Sequence, residues 1–486
     1  MLEGYRLWHE WTTGFPPVFL IYLPLILALI IPRHIFAYCF YFAHWMEWIH
    51  YPAPAKKFSA TVIMTVYDES PEIFTQSIRR TIASARAGTE KCSVIVIVDG
   101  VGELDFEECL HLAAIAKREG ADKVLLTTHR KKRENLRSLL RAAEKAGLLY
   151  ETTIFVDSDT VPDKLETIEE LLRPFGKSKI GGVTTTQRIL DPETYVQRVC
   201  DWLERARAWS SMAAASLFEQ VPCLPGRMYA VRTWIVMARL DELVEDYLDL
   251  GRLGCWMKTA GDDRRVTNFV LDAGYGTVMA PKALVYTTAP ADLETVALMW
   301  ERWGRSSQWY TIQFPWYRHP RLWMAAFLNW GDILITVSTL FIVFIHWPYV
   351  LIFGNRQEFW LEALMVTILS MLLTTVTRQV PYLLWHAANR LFPPRHGQTL
   401  LEYVFVTVPY NFFMLFMLIL VFTGMMLYGQ VIRGKALATP NKIGKWGTRK
   451  GADGGTKGKD VWEYPDDPPP NVRAAIALQK ERKTVE

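Results

Sequence analysis

Short apolar runs alternate with helical patterns along residues 54–319, and this alternation constrains the fold more than any other feature of the sequence. The runs FSATVIMTVYDES, KCSVIVIVDG, DKVLLTTH and YETTIFVDSDT are rich in β-branched residues, and helical patterns separate them. The first such pattern, PEIFTQSIRRTIASARAG, has Pro at its start and Gly at its end, as helices often do. Strands that alternate with helices form a parallel sheet with crossover helices, so the sequence predicts an α/β fold.

Acidic residues stand where two of these predicted strands end. Asp99 follows the second run, and Asp157 and Asp159 follow the fourth. Ligands of open α/β sheets bind at the carboxyl ends of the strands. Two carboxylates spaced two residues apart lie on the same side of an extended chain and can bind a hard cation such as Mg²⁺ or Mn²⁺. The alternative is that one of them only caps the next helix.

A basic segment, HRKKRENL, follows the third run and opens a helical pattern. Lys132 and Arg133 would then lie at a helix N-terminus, where backbone N–H groups and cations together favour a diphosphate. The alternative is an ordinary solvated basic face.

Both charge signs occur together in GDDRR, residues 261–265, at the start of another helical pattern. Asp262 and Asp263 gain from the positive end of the helix dipole. Capping explains one of them, but two in tandem beside Arg264 and Arg265 exceed what a cap requires. A carboxylate held near arginines stays ionised at pH 7, as a general base must.

Two further segments combine arginine with tryptophan: MWERWGRSSQW, residues 299–309, and KWGTRKG, residues 445–451. Arg302 offers a cation for phosphate, and Trp303 offers an indole face for a sugar ring. Tryptophan at a membrane interface is also an ordinary anchor. Anchoring is the favoured role for Trp309 and Trp316.

Long runs without charge predict membrane segments. Residues 15–32, 333–354 and 403–432 carry no charged side chain, and residues 360–385 form a weaker candidate. A bilayer core of about 30 Å requires roughly 20 apolar residues as a helix. The first run lacks a basic leader and a small-residue cleavage site, so we expect an anchor and not a cleaved signal peptide. Buried helices of a large soluble protein are the alternative.

Composition narrows the possible functions. The net charge of +4 provides no bulk basic field for nucleic acid. None of the six cysteines forms a Cys-x-x-Cys pair, which argues against a metal–thiolate site and favours a reduced, cytosolic catalytic portion. The tail after Gly451 is rich in Gly, Lys, Asp and Pro, and we expect much of it to be disordered.

The order of these motifs resembles a known family. Asp99, Asp157-x-Asp159, Asp263 and Arg302-Trp303 resemble the D, DxD, D, QxxRW pattern of membrane-integrated polysaccharide synthases of glycosyltransferase family 2. The segments GDDRRVTN and WGTR are similar to the hyaluronan and chitin-oligosaccharide synthase branch of this family. The short chain with few membrane segments is similar to fungal type 2 glycosyltransferases of the capsular polysaccharide synthase kind. The likeness implies a GT-A-type α/β domain with a mostly parallel sheet, plus α-helical transmembrane and interfacial segments.

The resemblance also implies roles at the reacting centre. Asp263 would be the catalytic base with Asp262 as its neighbour, and Arg302 and Trp303 would hold diphosphate and acceptor sugar. The Gln of QxxRW falls at Met299, which cannot make the hydrogen bonds of Gln, so contacts there would differ.

Donor-binding roles follow in the same way. Asp159 with Asp157 would engage Mg²⁺ or Mn²⁺ and the diphosphate. CLPGRMYAVR, residues 223–232, falls where the family has an acceptor-contacting loop, but it lacks the Gly-Pro-Leu of hyaluronan synthases. Tyr67, Glu69, Asp99, Lys132 and Arg133 would hold the uridine diphosphate, and Trp446, Thr448 and Arg449 would form a gating loop over the donor.

The implied function is an inverting β-glycosyl transfer that polymerises sugar from UDP-GlcNAc, UDP-GlcA or both and extrudes the polysaccharide. Its partners would be the UDP-sugar, the growing polysaccharide and membrane lipid, with the catalytic domain on the cytosolic side of the plasma membrane. A non-processive enzyme that adds one sugar to a membrane lipid is the nearest alternative, and a membrane scaffold or transporter with a degenerate nucleotide fold is another. The expected domains are an anchor with an aromatic interface segment (1–53), the GT-A domain (54–319), transmembrane and interfacial helices (320–434), the WGTR loop (435–452) and a polar tail (453–486).

Overall fold

The computed structural model describes most of the domain predicted at 54–319 and small parts of its flanks. The described residues are 32, 35–40, 42–43, 51, 56–101, 104–128, 132–244, 247–249, 255–257, 261–296, 299, 303, 306, 310–311, 323–328, 330 and 461–464.

Within these ranges the β-structure consists of one large sheet and one separate hairpin. The strands are β1 (Ala60–Val66), β2 (Cys92–Val101), β3 (Lys123–Thr128), β4 (Thr152–Asp157), β5 (Val161–Pro162), β6 (Ile180–Ile189), β7 (Met228–Arg232), β8 (Tyr247–Asp249), β9 (Cys255–Met257), β10 (Gly276–Thr287) and β11 (Val461–Glu463). Nine of them form the sheet in the order β11-β3-β2-β1-β4-β7-β6-β10-β5, and β8 pairs with β9.

Helices connect the strands and cover the sheet. They are α1 (Pro71–Gly88), α2 (Phe106–Arg118), α3 (Lys132–Lys145), α4 (Thr167–Leu172), α5 (Tyr195–Arg207), α6 (Ala213–Leu217), α7 (Thr233–Met237) and α8 (Asp262–Asp272). The first helix has the bounds that the sequence pattern predicts. It begins at Pro71 because Ser70 accepts a hydrogen bond from the N–H of Ile73 and so satisfies one of its free donors.

The predicted α/β fold with a mostly parallel sheet is confirmed. Strands β3, β2, β1 and β4 pair in parallel through the crossovers α1, α2 and α3, and β6 pairs with β10 in parallel. The arrangement is GT-A-like, as the resemblance implied. An antiparallel strand, β7, lies between β4 and β6 and brings the segment that precedes it to the end of β4.

Both faces of the sheet are buried, which explains why its strands are nearly continuous apolar runs. Val62, Met64 and Val96 contribute to a core on one face, whereas Ile63 and Ile95 contribute to a second core on the other. Alternate residues of a strand point to opposite faces, so a single strand supplies both cores.

The tail, much of which the composition predicts to be disordered, contributes one short strand. Residues 461–463 pair antiparallel with β3, and the N–H of Tyr464 donates to Val124 O at 2.9 Å. Tyr464 packs against one core, and Glu463 forms an ion pair with Lys123. Residues 461–464 are thus ordered, while the prediction for the rest of the tail falls on residues outside the described ranges. Val, Trp and Tyr are among the residues that favour strands.

The predicted membrane segments lie almost entirely outside the described residues, as do most of the C-terminal domains predicted at 320–434 and 435–452. Within the described ranges, no helix combines the length and apolar character that crossing a bilayer requires. Two segments predicted to lie at a membrane interface are partly described: Phe36 and Trp323 both pack edge-on against Phe218.

Candidate active site

The carboxyl edge of the parallel strands gathers the predicted acidic residues. Asp99 lies at the end of β2 and is 3 % exposed. The next residue, Gly100, has φ +112°, and a Cβ there would lie 3.0 Å from Tyr67 Cε2, so only glycine fits between this turn and the tyrosine ring. Glu69 accepts a hydrogen bond at 2.8 Å from Ser158, the middle residue of the DxD motif. Tyr67, Glu69 and Asp99 therefore line the same edge.

Lys132, the first residue of α3, links the two acidic motifs. Its Nζ lies 2.6 Å from Asp157 Oδ1 and 3.1 Å from Asp262 Oδ2. Burial alone lowers the pKa of a lysine, but the carboxylates of Asp157 and Asp262 outweigh burial and raise the pKa of Lys132 above its ordinary value. The ammonium therefore stays charged and holds the end of β4 against the start of α8.

The two carboxylates that share Lys132 respond in opposite directions. Burial raises the pKa of Asp157 despite the opposing effect of Lys132, and the nearby Asp159 raises it further. Burial also raises the pKa of Asp262, but Lys132 and Arg133 outweigh it, so the net shift of Asp262 is downward. The ion pair therefore keeps Asp262 ionised, whereas the neighbouring charge of Asp159 disfavours ionisation of Asp157.

Asp159 lies against the end of β10. Its Oδ2 accepts hydrogen bonds from the hydroxyls of Thr287 at 3.1 Å and Thr288 at 2.6 Å. Asp157 and Asp159 offer hard oxygen donors, which Mg²⁺ and Mn²⁺ prefer. Burial, and to a smaller extent the charge of Asp159, raise the pKa of Asp157, and a divalent cation would offset both effects, so the donor set fits such an ion. No group of three or more His, Cys, Asp or Glu that could hold a metal occurs among the residues that the structure describes.

The start of α8 is built around Gly261. This glycine has φ +84°, and a Cβ there would lie 2.0 Å from Ser306 Oγ. Its carbonyl accepts a hydrogen bond at 3.1 Å from Arg133, which also bonds to the hydroxyl of Tyr310. Arg133 is buried, and it fixes the backbone from which Asp262 and Asp263 project.

The charged residues of GDDRR also contact groups outside the motif. Asp262 pairs with Lys132, which the sequence analysis did not connect with it. Arg265 is buried and bonds to Glu242, with its guanidinium over the ring of Phe269. Asp263 Oδ1 accepts from the N–H of Arg264 at 2.8 Å.

A short loop before β7 lies between Lys132, Asp157 and Asp263, and its residue Gly226 is called the Gly226 floor below. A Cβ built on Gly226 would lie 3.6 Å from Lys132 Nζ, 3.7 Å from Asp157 Oδ2 and 3.8 Å from Asp263 Cβ. The same loop places the thiol of Cys223 3.7 Å from Asp263 Oδ2. Burial and the Asp263 charge raise the pKa of Cys223 to about 12, so the thiol remains a neutral donor to that carboxylate.

Trp303 lies beside two arginines that the sequence did not single out. The guanidinium carbons of Arg207 and Arg227 lie 5.8 and 5.7 Å from the centre of its ring. Glu204 pairs with both arginines. The only sequence signal was the i, i+3 spacing of Glu204 and Arg207, which is also typical of a solvated helix face.

The remaining predicted site residues cannot be placed. Arg302 and the gating-loop residues Trp446, Thr448 and Arg449 lie outside the described residues. Met299, at the motif Gln position, is 7 % exposed.

Comparisons with known proteins find relatives by sequence. Hyaluronan synthase 1 of Xenopus tropicalis is 30 % identical over 201 residues, which cover 40 % of this chain and 32 % of that protein. A type 2 glycosyltransferase of Zymoseptoria tritici is 34 % identical over 130 residues, 26 % of each chain. The matched segments thus span about a third or less of these relatives.

Among solved structures, a mannosyltransferase from Pyrobaculum calidifontis in complex with GDP-Man and Mn²⁺ covers 87 % of this chain and 100 % of its own, with a TM-score of 0.48 and 14 % identity. The model of the family described as glycosyltransferase like family 2 matches residues 59–306, just over half of the chain. The chain therefore belongs to glycosyltransferase family 2.

Proposed function

We propose that the protein is an inverting β-glycosyltransferase that polymerises sugar from a UDP-sugar donor. The observation that carries this proposal is the convergence of Lys132, Asp157 and Asp263 around Gly226. A cation and two carboxylates thus lie together, and we assign Asp157 to the metal and Asp263 to the acceptor hydroxyl. A base and a fixed cation are groups that promote transfer from a nucleotide sugar.

Asp263 is the proposed base. Asp262 is held by Lys132, whereas Asp263 lies beside Gly226, and within the described part of the chain its oxygens accept from the Cys223 thiol and from the N–H of Arg264. The acceptor hydroxyl oxygen attacks the anomeric carbon, and its proton passes to the Asp263 carboxylate. The bond from that carbon to the diphosphate oxygen breaks, and UDP leaves with the electron pair.

The departing diphosphate gathers negative charge that the site must stabilise. Lys132 supplies a fixed ammonium at the helix N-terminus of α3. Mg²⁺ or Mn²⁺ would be held by Asp157 and Asp159, and when bound it supplies Lewis-acid stabilisation of phosphate oxygens. Arg133 acts by fixing the start of α8, through Gly261 and Tyr310, in addition to its charge.

The uridine end of the donor is proposed to lie at Tyr67, Glu69 and Asp99. These residues border the same edge of the sheet, and buried Asp99 can accept hydrogen bonds from a uracil ring. We propose the roles that the family pattern implies for the remaining residues. Arg302 would contact the diphosphate and Trp303 the acceptor sugar. The gating loop over the donor would comprise Trp446, Thr448 and Arg449.

Polymerisation, the membrane setting and the sugar identity rest on similarity to hyaluronan synthases and on the uncharged runs of the sequence. We propose UDP-GlcNAc as the first candidate donor and UDP-GlcA together with UDP-GlcNAc as the second. The proposed location is the plasma membrane, with the catalytic domain facing the cytosol.

A UDP-release assay on the purified full-length protein against a panel of UDP-sugars tests this function. We expect release with one or two donors in the presence of Mg²⁺ or Mn²⁺, and a polymer that a linkage-specific glycosidase digests. If the product is a lipid that carries a single sugar, the protein is a lipid glycosyltransferase and not a polymerase. Absence of release with every nucleotide sugar would overturn the proposal.

A further inference from the structure

Arg227 lies directly opposite the first aspartate of the DxD motif. The N–H of Asp157 donates to the carbonyl of Arg227 at 2.9 Å, so this pair extends the antiparallel ladder between β4 and β7. Residues two apart share a face of a strand. The side chains of Asp157 and Arg227 therefore belong to the face on which the rings of Phe155 and Tyr229 stack, 4.9 Å apart. The guanidinium is on the side of the sheet that carries the candidate site.

The donors of this guanidinium are largely unused. The side chain of Arg227 is only 16 % exposed, and its Nη2 lies 3.7 Å from Glu204 Oε1, which is longer than a hydrogen bond. Within the described part of the chain no hydrogen bond to the guanidinium is found. A guanidinium has five N–H donors, and one that is largely buried with only a long-range ion pair in the described part of the chain favours binding a further acceptor.

The neighbouring arginine differs in this respect. Arg207 donates to Gln187 Oε1 at 2.8 Å and also to Glu204 Oε2. Glu204, which is 5 % exposed, is thus already bonded to Arg207 and meets Arg227 only at longer range. The Glu204 carboxylate is thus shared by Arg207 and Arg227, and it leaves N–H donors of Arg227 available to a further acceptor.

Contacts on two sides restrict where the Arg227 guanidinium can point. The Trp303 ring lies 5.7 Å from its Cζ, within the range of a cation–π interaction, and Glu204 lies on another side. Burial lowers the pKa of Arg227, but the charges of Glu204, Asp159 and Asp157 outweigh burial and raise the pKa above its ordinary value. The side chain is therefore pre-oriented beside the DxD motif before any ligand binds.

We infer that Arg227 binds the diphosphate of the nucleotide-sugar donor next to Asp157 and Asp159, and that Glu204 and Trp303 hold its guanidinium in position. This inference rests on the proposed function and adds a residue to its donor site. The planar guanidinium matches phosphate oxygens in geometry, so two parallel hydrogen bonds can form. The loop at 223–232, which the family likeness assigns to the acceptor, would thus also contact the donor.

Binding of UDP and of uridine to the full-length protein separates a diphosphate contact from a general defect. Arg227→Met should weaken UDP binding about 10- to 100-fold, as expected for lost charge-assisted hydrogen bonds. The same substitution should leave uridine binding unchanged, as measured by saturation-transfer NMR. Arg227→Lys should fall between, because lysine keeps the charge but not the fork. Arg173→Met is the control: Arg173 lies away from the site, pairs with Glu169 and Glu170, and should leave UDP binding unchanged.

The possible results discriminate between the two proposals. Wild-type affinity for UDP in folded Arg227→Met would overturn the role of Arg227 and leave the proposed function intact. An equal loss of UDP and uridine binding would overturn it too, because the defect would not concern the diphosphate. If Arg227→Met does not fold, Arg227→Lys decides the question. Wild-type affinity of Arg227→Lys for UDP would refute the proposed pair of hydrogen bonds from the guanidinium to the diphosphate. A wild-type protein that binds none of UDP, GDP and ADP would overturn both proposals.

Discussion

Lys132 Nζ lies 2.6 Å from Asp157 Oδ1, and this contact joins the first residue of α3 to the last residue of β4. The same ammonium lies 3.1 Å from Asp262 at the start of α8. One cation therefore compensates the DxD and GDD motifs together. A bound diphosphate would meet a positive charge that is already fixed, which lowers the cost of orienting it.

Lys132→Met should weaken both the fold and donor binding. It leaves Asp157 and Asp262 without their common cation, and breaking such a pair costs about 3–5 kcal/mol when it is fully buried. Because these side chains are 15–25 % exposed, we expect on the order of 1–3 kcal/mol less unfolding free energy. Urea denaturation and UDP titration measure the two effects. Lys117→Met, on the exposed face of α2, is the control, and equal stability of both variants would contradict the bridge.

Strand ends could be predicted from the sequence, because an acidic residue after an apolar run has few other positions in an α/β fold. Asp99, Asp157 and Asp159 were identified in this way, whereas Asp263 was identified from the charge pattern at a helix start. The structure has Asp99 in β2, Asp157 at the end of β4 and Asp263 in the first turn of α8. Their chemical roles remain predictions. The partners of these residues could not be identified, because Lys132 meets Asp262 across 130 residues of sequence and the adjacent arginines appeared closer.

The parallel half of the sheet followed from periodicity, but its other half did not. The antiparallel strand β7 is only five residues long, and a strand this short carries no local signal for its position between β4 and β6. Its position in the sheet is what brings Gly226 and Arg227 to the DxD motif. Their importance is a consequence of strand order, which the local sequence does not encode.

The ion pair of Asp262 should make stability depend on acid pH. The pKa of Asp262 in the folded protein lies below its ordinary value of 3.8, so its ionised form stabilises the fold above that pH. The contribution is lost as pH falls through the lowered pKa. We therefore expect Asp262→Asn to be less stable than wild type at about pH 7 and the difference to shrink below about pH 4. Urea unfolding at both pH values measures it; a pH-independent difference would refute the ion-pair explanation.

Side chains added at Gly226 should block the site without unfolding the domain. A Cβ there makes ordinary contacts of 3.6–3.8 Å, so Gly226→Ala should fold normally and lose little donor affinity. Gly226→Val extends further towards Lys132 and Asp157, and we expect UDP affinity to fall by at least about tenfold, since 1.4 kcal/mol corresponds to that factor. Thermal denaturation checks that the melting temperature is unchanged. Unaltered UDP binding by folded Gly226→Val would show that the donor does not lie over this floor.

Asp263→Asn should separate chemistry from binding. The amide preserves the shape and can still accept hydrogen bonds, but it cannot take the proton of the acceptor hydroxyl. We expect sugar transfer to fall by about 10²–10⁴-fold, the usual contribution of a positioned base, while UDP binding stays near the wild-type value because Lys132 and Asp157 remain. Asp241→Asn is the matched control, since that carboxylate is 66 % exposed and, among the described residues, pairs with Arg137 and Arg141 of α3. Turnover of Asp263→Asn equal to that of the control would assign the base to another residue, whereas a parallel loss of UDP binding would assign Asp263 to the donor site.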